Sequence, residues 1–409
     1  MNKILFFVFS LLFSIASYAY NFSAVNSDGV TIYYEYINNG TELSVTNGAS
    51  GTYYSGSIVI PSEVTYMNRT RKVTRVEGFS FCTNLTSITI PNTVNTIGVN
   101  AFKNCKRLTS ITLPNSVTYI AKGAFYGCPL TSIILPNSLE GIGESAFMGC
   151  PLTSITIPNS VTIIGEYAFK GCRNLKSAVI GNSVKKIRTW AFQDCINLTS
   201  VTLGSSVEVI EGQAFRDCSK LNSIQFPNSL KTIGSGTFMG CGFTSVSIPD
   251  YVKIIHSSAF ARCKNLESVV IGNSVEIIFE NAFAECNNLE SVSMGNSLAR
   301  IDDLAFSKCA KLKSIILPNS LAIIGEKAFS DCTSLSSLTF GNSVTKISNS
   351  AFYGCVGLTN IVSKMENPCE LPEFCFPTDV FYNITLSVPS GTIEKYKATK
   401  FWNKFVFIE

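Results

Sequence analysis

The sequence predicts an α/β solenoid, a stack of about 13 coils with parallel β-strands on one face and a cap at each end. Three observations carry that prediction. A unit of 22 or 23 residues recurs without a break from Leu85 to Gly357. Each unit opens with a short run that alternates apolar and polar residues, as a half-buried strand does. Its seventh place is always Pro or Gly, mostly followed by Asn, so the strand ends in a turn at the same point of every coil.

The first 19 residues read as a signal peptide. Lys3 gives the positive start, Ile4 to Ile15 is apolar, and Ser17-Tyr18-Ala19 offers small residues for cleavage after Ala19. The apolar run is short for a membrane span, and no second run of spanning length follows. Residues 20–84 read as an N-terminal cap with an irregular first coil. Thr31 to Tyr36 and Glu42 to Val45 form a hairpin about Asn38-Asn39-Gly40. Residues 85–357 are the repeats. Residues 358–409 read as the C-terminal cap: a strand at Leu386–Pro389, a short helix from Gly391 to Lys400, and Trp402, Phe405 and Phe407 over the last coil.

The unit that starts at Leu108 shows how one coil is built. Leu108, Ile111 and Leu113 point inward, Ser110 and Thr112 outward, and Pro114-Asn115-Ser116 turns the chain. Val117 and Ile120 return to the interior. Ala124-Phe125 and Cys128 close the coil from a helical or 3₁₀ turn. Stacking aligns equivalent residues, so Phe102, Phe125 and their successors to Phe352 form an internal ladder that Phe79 starts. The Ala before each Phe is small to allow close approach; Thr237 is its one replacement. At a strand spacing of about 4.8 Å the stack is roughly 60 Å long.

Thirteen of the fifteen cysteines also recur once per coil, from Cys82 to Cys355. Equivalent side chains about 4.8 Å apart and parallel do not suit a disulfide. A buried thiol packs as a small hydrophobe, so a ladder of free thiols is expected. No Cys-x-x-Cys pair suggests zinc. Cys369 and Cys375 lie outside the repeat and could either bridge or stay free.

Charged residues are 15% of the chain and the formal charge of +4 has no basic run, which leaves nucleic acid no electrostatic footprint. The single histidine, His256, reads as an exposed loop residue with no identifiable acidic partner. Asp302, Asp303 and Glu326 read as solvated carboxylates. Gly-Asn-Ser-Val is a turn, because it lacks the spacing and the Lys of a phosphate loop. No catalytic residue, cofactor or metal site is expected.

Written out, the unit is Leu-x-x-Ile-x-Ile-Pro-Asn-Ser-Val-x-x-Ile-Gly-x-x-Ala-Phe-x-x-Cys. With Ala-Phe-x-x-Cys at nearly every coil, the chain resembles the BspA-like, Treponema-type leucine-rich repeats, tightly over 85–357. The C-terminal segment looks like the closing cap of such proteins from Bacteroidetes. The turn departs from the common leucine-rich pattern in opening with Pro or Gly. The resemblance implies an exported or surface-associated protein linked to adhesion, to host matrix proteins or to other cells.

A partner would meet the strand face. Its third position is Ser in twelve consecutive units, Ser87 to Ser337, which suits tight packing. The second position is mostly Thr but is broken by Lys176, Asn222, Glu267, Glu290 and Lys313; the more variable fifth includes Gln225. These six are the candidate contacts. The expected partner is an extracellular-matrix or cell-surface protein, with a glycan as the alternative.

Overall fold

The computed structural model describes residues 20–48 and 53–409. The leader expected at 1–19 lies outside them. The repeats form a solenoid of parallel strands, and each coil is named below by its first residue.

The expected strand-face ladder is present in three- to four-residue strands such as Ser154–Thr156, Ser177–Val179 and Ser200–Thr202, paired in register through Ile155, Ala178 and Val201. A second ladder, absent from the sequence reading, runs along another face of every coil. Its strands are two residues long, from Thr96–Ile97 through Tyr119–Ile120 to Lys346–Ile347. The inward Ile of each is buried.

The side expected to be a helical or 3₁₀ turn is neither. In the Leu85 coil, Ala101 N–H donates to the Gly98 carbonyl at 3.3 Å and Cys105 N–H to the Phe102 carbonyl at 3.1 Å. Between them Lys103 N–H also turns back, to the Asn100 carbonyl at 3.1 Å, but its neighbours reach the next coil: Phe102 to the Ala124 carbonyl at 2.7 Å, and Asn104 to that of Tyr126 at 2.8 Å. This alternation needs two left-handed residues per coil, here Asn100 at φ 54° and Asn104 at φ 58°. Glycine takes such positions without strain, as at Gly123 and Gly127. Yet Tyr167, Trp190 and Leu304 also occupy them. A bulky residue there is strained, and the coil-to-coil bonds hold it.

Inside, the Phe rings stack from Phe79 to Phe352 with centroids 5.1–5.6 Å apart. Both caps continue the stack, Tyr54 against Phe79 and Phe376 against Phe352. Thr237 keeps its place in the Ala column by donating its hydroxyl to the carbonyls of Gly234 and Glu211.

The cysteines are all free thiols, Cys369 and Cys375 included. From Cys105 to Cys355 every Sγ donates to the carbonyl of the preceding coil's Phe, at 2.8–3.4 Å. The thiol is therefore a hydrogen-bond donor between coils as well as filler.

At the N-terminal end, Phe22–Val25, Thr31–Ile37 and Glu42–Thr46 form an antiparallel meander about the turn at Asn38–Gly40. Glu42–Thr46 then pairs in parallel with Arg69–Val76, which starts the second ladder. At the other end, Thr385–Ser387 and Phe407–Ile408 extend the strand face beyond Asn360–Ser363, and a helix spans Ile393–Ala398. Trp402 is fully buried and donates Nε1–H to the Cys369 carbonyl at 2.7 Å. Phe405 is buried beside it, but Phe407 is exposed rather than covering the last coil. The register pairs it with exposed Thr385 and leaves Ile408 opposite buried Leu386, which turns the Phe407 side chain outward.

Burial raises the thiol pKa along the ladder, at Cys172, Cys195, Cys218 and Cys241 among others. The folded chain then keeps protons that the unfolded chain sheds near the ordinary value of about 8.5. Stability should be whole below about pH 8.5 and fall above it, by about 1.4 kcal/mol per pH unit for each thiol that ionises only on unfolding. Urea unfolding between pH 7 and 10 measures this. A flat profile would mean the thiols are accessible in the folded chain.

Candidate functional site

The strand face is not one continuous sheet. Its ladder is closed into the coils that carry Gly at the seventh place: Gly181, Gly204, Gly272, Gly295 and Gly341. It is open before those that carry Pro: Pro114, Pro136, Pro158, Pro227, Pro249 and Pro318. The exception is the Leu85 coil, which carries Pro91 yet pairs, through an irregular register, with Gly56–Val59 of the atypical first coil.

The cause is steric. A Cβ on Gly181 would lie 2.3 Å from the Pro158 carbonyl oxygen, and one on Gly204 2.2 Å from that of Gly181. Neither distance is possible, so where coils approach this closely the seventh residue has no side chain; the two other closed junctions, at Pro91 and, past the repeats, at Lys364, stand at the ends of the array. The pyrrolidine ring of Pro holds the same edge apart. At closed junctions the sixth residue's N–H reaches across, as from Ile157 to the Val179 carbonyl and from Ile180 to that of Thr202, both at 2.8 Å. The Pro coils are tied elsewhere: Ser116, Ser138, Ser229 and Ser320 donate their hydroxyls to a carbonyl of the preceding coil.

The longest opening spans three successive Pro coils. No strand forms at residues 110–113 or 132–135, and the backbone N–H groups of these stretches make no hydrogen bond among the described residues. Between the Leu108 and Leu130 coils lies a cleft of about 350 Å³, lined by Ile111, Leu113, Ile133 and Leu135 with Asn115 and Asn137 at one end. Ile134 stands on its rim with 87% of its surface exposed. An exposed Ile beside unpaired amides offers an apolar contact and a row of donors together.

The six residues singled out from the sequence all lie on the strand face. Asn222 and Gln225 are exposed on the Leu221 coil, which is open on both sides. Glu290 and Lys313 face each other across the opening before Pro318, with Nζ to Oε2 at 2.5 Å. That ammonium holds the Glu290 carboxyl below the usual carboxylate range. Lys176 and Glu267 are exposed on closed stretches. The structure does not gather the six into one cluster. It also explains the Thr they replace: Thr153, Thr199 and Thr359 donate their hydroxyls to the second-position carbonyl of the coil before.

The sequence reading missed the opening itself. The signal is present, as four Pro coils in succession from Pro91 to Pro158, but in an isolated turn Pro and Gly are near-equivalent turn formers. His256 is half-buried rather than exposed, with its ring stacked on Phe279 at 5.7 Å, and that burial lowers its pKa. Among the described residues no helix is long and apolar enough to cross a membrane.

The BspA type leucine rich repeat region matches this chain in six copies, over residues 74–199, 140–267 and 253–384. A leucine-rich repeat protein from Bacteroides ovatus ATCC 8483 is 32% identical with a TM-score of 0.66, covering 81% of this chain and 92% of its own. A leucine rich cell surface protein from Faecalibacterium prausnitzii A2-165 is 25% identical with a TM-score of 0.48, covering 93% of this chain and 98% of its own. A leucine-rich repeat protein from Treponema pallidum is 29% identical with a TM-score of 0.43, covering 47% of this chain and 88% of its own. No curated protein matches the chain.

Two measurements follow from the steric account. Gly204→Ala should lower the unfolding free energy by about 1–3 kcal/mol in urea, because the coil must move away, whereas exposed Ser205→Ala should change it by less than about 0.5 kcal/mol. Equal effects would remove the close approach as the cause. In hydrogen exchange the amides of Ile111, Thr112, Ile133 and Ile134 should exchange fast, while those of Ile157 and Ile180 stay protected.

Proposed function

The chain belongs to the BspA-type leucine-rich repeat family, and from that premise we propose an exported or cell-surface, non-enzymatic scaffold. It binds proteins through the strand face and so adheres to host matrix or to other cells. The leader read at 1–19, with cleavage after Ala19, supports export. A solenoid of this family presents a long regular surface rather than a catalytic cavity.

The observation that carries the reading is the open stretch of the strand ladder. Unpaired amides along a strand face are donors waiting for acceptors, and an extended segment of another protein supplies carbonyls at strand spacing. Ile134 adds an apolar anchor. Val179, Val270 and Ile316 repeat that exposed apolar contact in the same column along the stack. Lys176, Asn222, Gln225, Glu267, Glu290 and Lys313 supply the polar rim. Contacts spread along several coils favour avidity over tight binding at one point.

The test is binding of the mature chain to a panel of matrix and cell-surface proteins beside a glycan array. Ile134→Asp should weaken the protein interaction about tenfold or more, as loss of an anchor does, without lowering the Tm, since the side chain is exposed. Reversing Glu267 and Glu290 to Lys should change its salt dependence. Binding that survives all three substitutions would exclude the strand face, and binding confined to glycans would exclude a protein partner.

A further inference from the structure

The second ladder is tied by one recurring bond. From Asn95 to Thr345, the N–H at the eleventh position donates to the eleventh-position carbonyl or its equivalent on the coil before: Thr118 to Asn95, Glu208 to Lys185, Lys231 to Glu208, Glu276 to Lys253. Lys253 alone makes no such bond to Lys231. The ladder pairs two residues at each repeat-to-repeat junction but here only Ile233 with Ile255. This is the single place in the repeats where the second face opens.

The same coil departs from the repeat at three positions. Asp250 stands where the others carry Asn or, once, Ser; Tyr251 replaces the Ser or Thr of the ninth position; and His256 is the only histidine in the chain. In neighbouring Pro coils that Ser donates its hydroxyl to the coil before, as Ser229 does to the Val207 carbonyl at 2.8 Å. Tyr251 makes no such tie, and its ring is 60% exposed. Tyr251 and His256 flank a groove of about 500 Å³, with Asn228, Lys231, Thr232 and Lys253 along it.

The charges point to a ligand. The register of Ile233 on Ile255 puts Lys231 and Lys253 side by side on adjacent coils. Directly opposed like charges destabilise a sheet. Each ammonium is paired outward instead, Lys231 with Glu208 at 2.8 Å and Lys253 with Glu276 at 3.4 Å. Both lysines line the groove, and an ammonium has three donors, so each retains some after its ion pair. One anionic group between them would remove the repulsion. Next to it lie the flat face of Tyr251, apolar and slightly negative, and the amide and hydroxyl of Asn228 and Thr232.

We propose that this groove is a binding site for an acidic saccharide. The sugar ring lies with its C–H face on Tyr251, its carboxylate or sulfate bridges Lys231 and Lys253, and its hydroxyls meet Asn228, Thr232 and His256. The site is separate from the strand face, and it stands or falls independently of the protein-binding reading.

The experiment uses the whole mature chain and saturation-transfer NMR with calorimetry. The probes are a hyaluronan tetrasaccharide, a chondroitin sulfate tetrasaccharide and sialyllactose, with cellotetraose and lactose as neutral counterparts and inorganic sulfate as a bare anion. At least one acidic saccharide should bind, at least fivefold more tightly than the neutral ones, and more weakly as salt rises. Tyr251→Ser, Lys253→Thr and His256→Gly restore residues found at the same positions of other coils, so the fold should tolerate them. Tyr251→Ser and Lys253→Thr should each weaken binding fivefold or more, while Ile134→Asp leaves it unchanged. Three results would overturn the site: no acidic saccharide bound, binding indifferent to Tyr251→Ser, or sulfate alone binding with the same dependence on the variants. Loss of protein binding in Ile134→Asp with saccharide binding intact would separate this site from the strand face.

Discussion

The structure depends on one spacing, set inside the coil by the Phe stack and by the bond from each thiol to the Phe carbonyl of the coil before. That pair repeats with little variation from Cys105 to Cys355. A Phe carbonyl accepts its own turn's Cys N–H and also the next coil's thiol, as Phe102 does from Cys105 at 3.1 Å and from Cys128 at 2.8 Å. The buried oxygen is thus satisfied twice, and the thiol hydrogen is not stranded. With the turn side fixed in this way, the strand face is left with the freedom to close or to open. From the Leu108 coil to the Leu335 coil its seventh residue decides which, through the presence or absence of a side chain.

Much of this was legible in the sequence. The period, the inward Leu, Ile and Phe, the small Ala and the cysteine column each answer to burial, and burial leaves a regular trace. Two features did not. A strand as short as Thr96–Ile97 shows no alternation, so the second ladder was invisible. The spacing of Ala101, Phe102 and Cys105 imitates one helical face. What prevents a helix is a set of bonds to the next coil, and these draw left-handed conformations from residues as unlike as Asn100, Trp190 and Leu304. No local propensity announces that, because the cause lies a whole repeat away in the chain.

The difference between Pro and Gly at the seventh place was visible as letters but not as geometry. In a single turn the two are near substitutes. In a stack they are opposites, since Gly lets the carbonyl of the coil before approach to a distance that any Cβ forbids. The same holds for Tyr251. Alone it is an ordinary exposed aromatic, and only the missing Lys253 bond shows that a tie between coils has gone with the serine.

The two kinds of opening differ in origin, and so in what they suit. Openings on the strand face arise from Pro, a residue the repeat uses in about half of its coils. They recur, they are chemically alike, and a solenoid tolerates them because its stability is a sum over neighbours and other ties remain. Recurrent similar contacts produce avidity and little discrimination. The opening at Lys253 occurs once and coincides with Asp250, Tyr251 and His256, residues found at those positions in no other coil. Unshared residues around one groove can discriminate between small ligands, because a single misplaced or missing polar group there has no neighbouring copy to compensate for it. Breadth on one face and selectivity on another therefore follow from where the repeat varies by rule and where it breaks its rule.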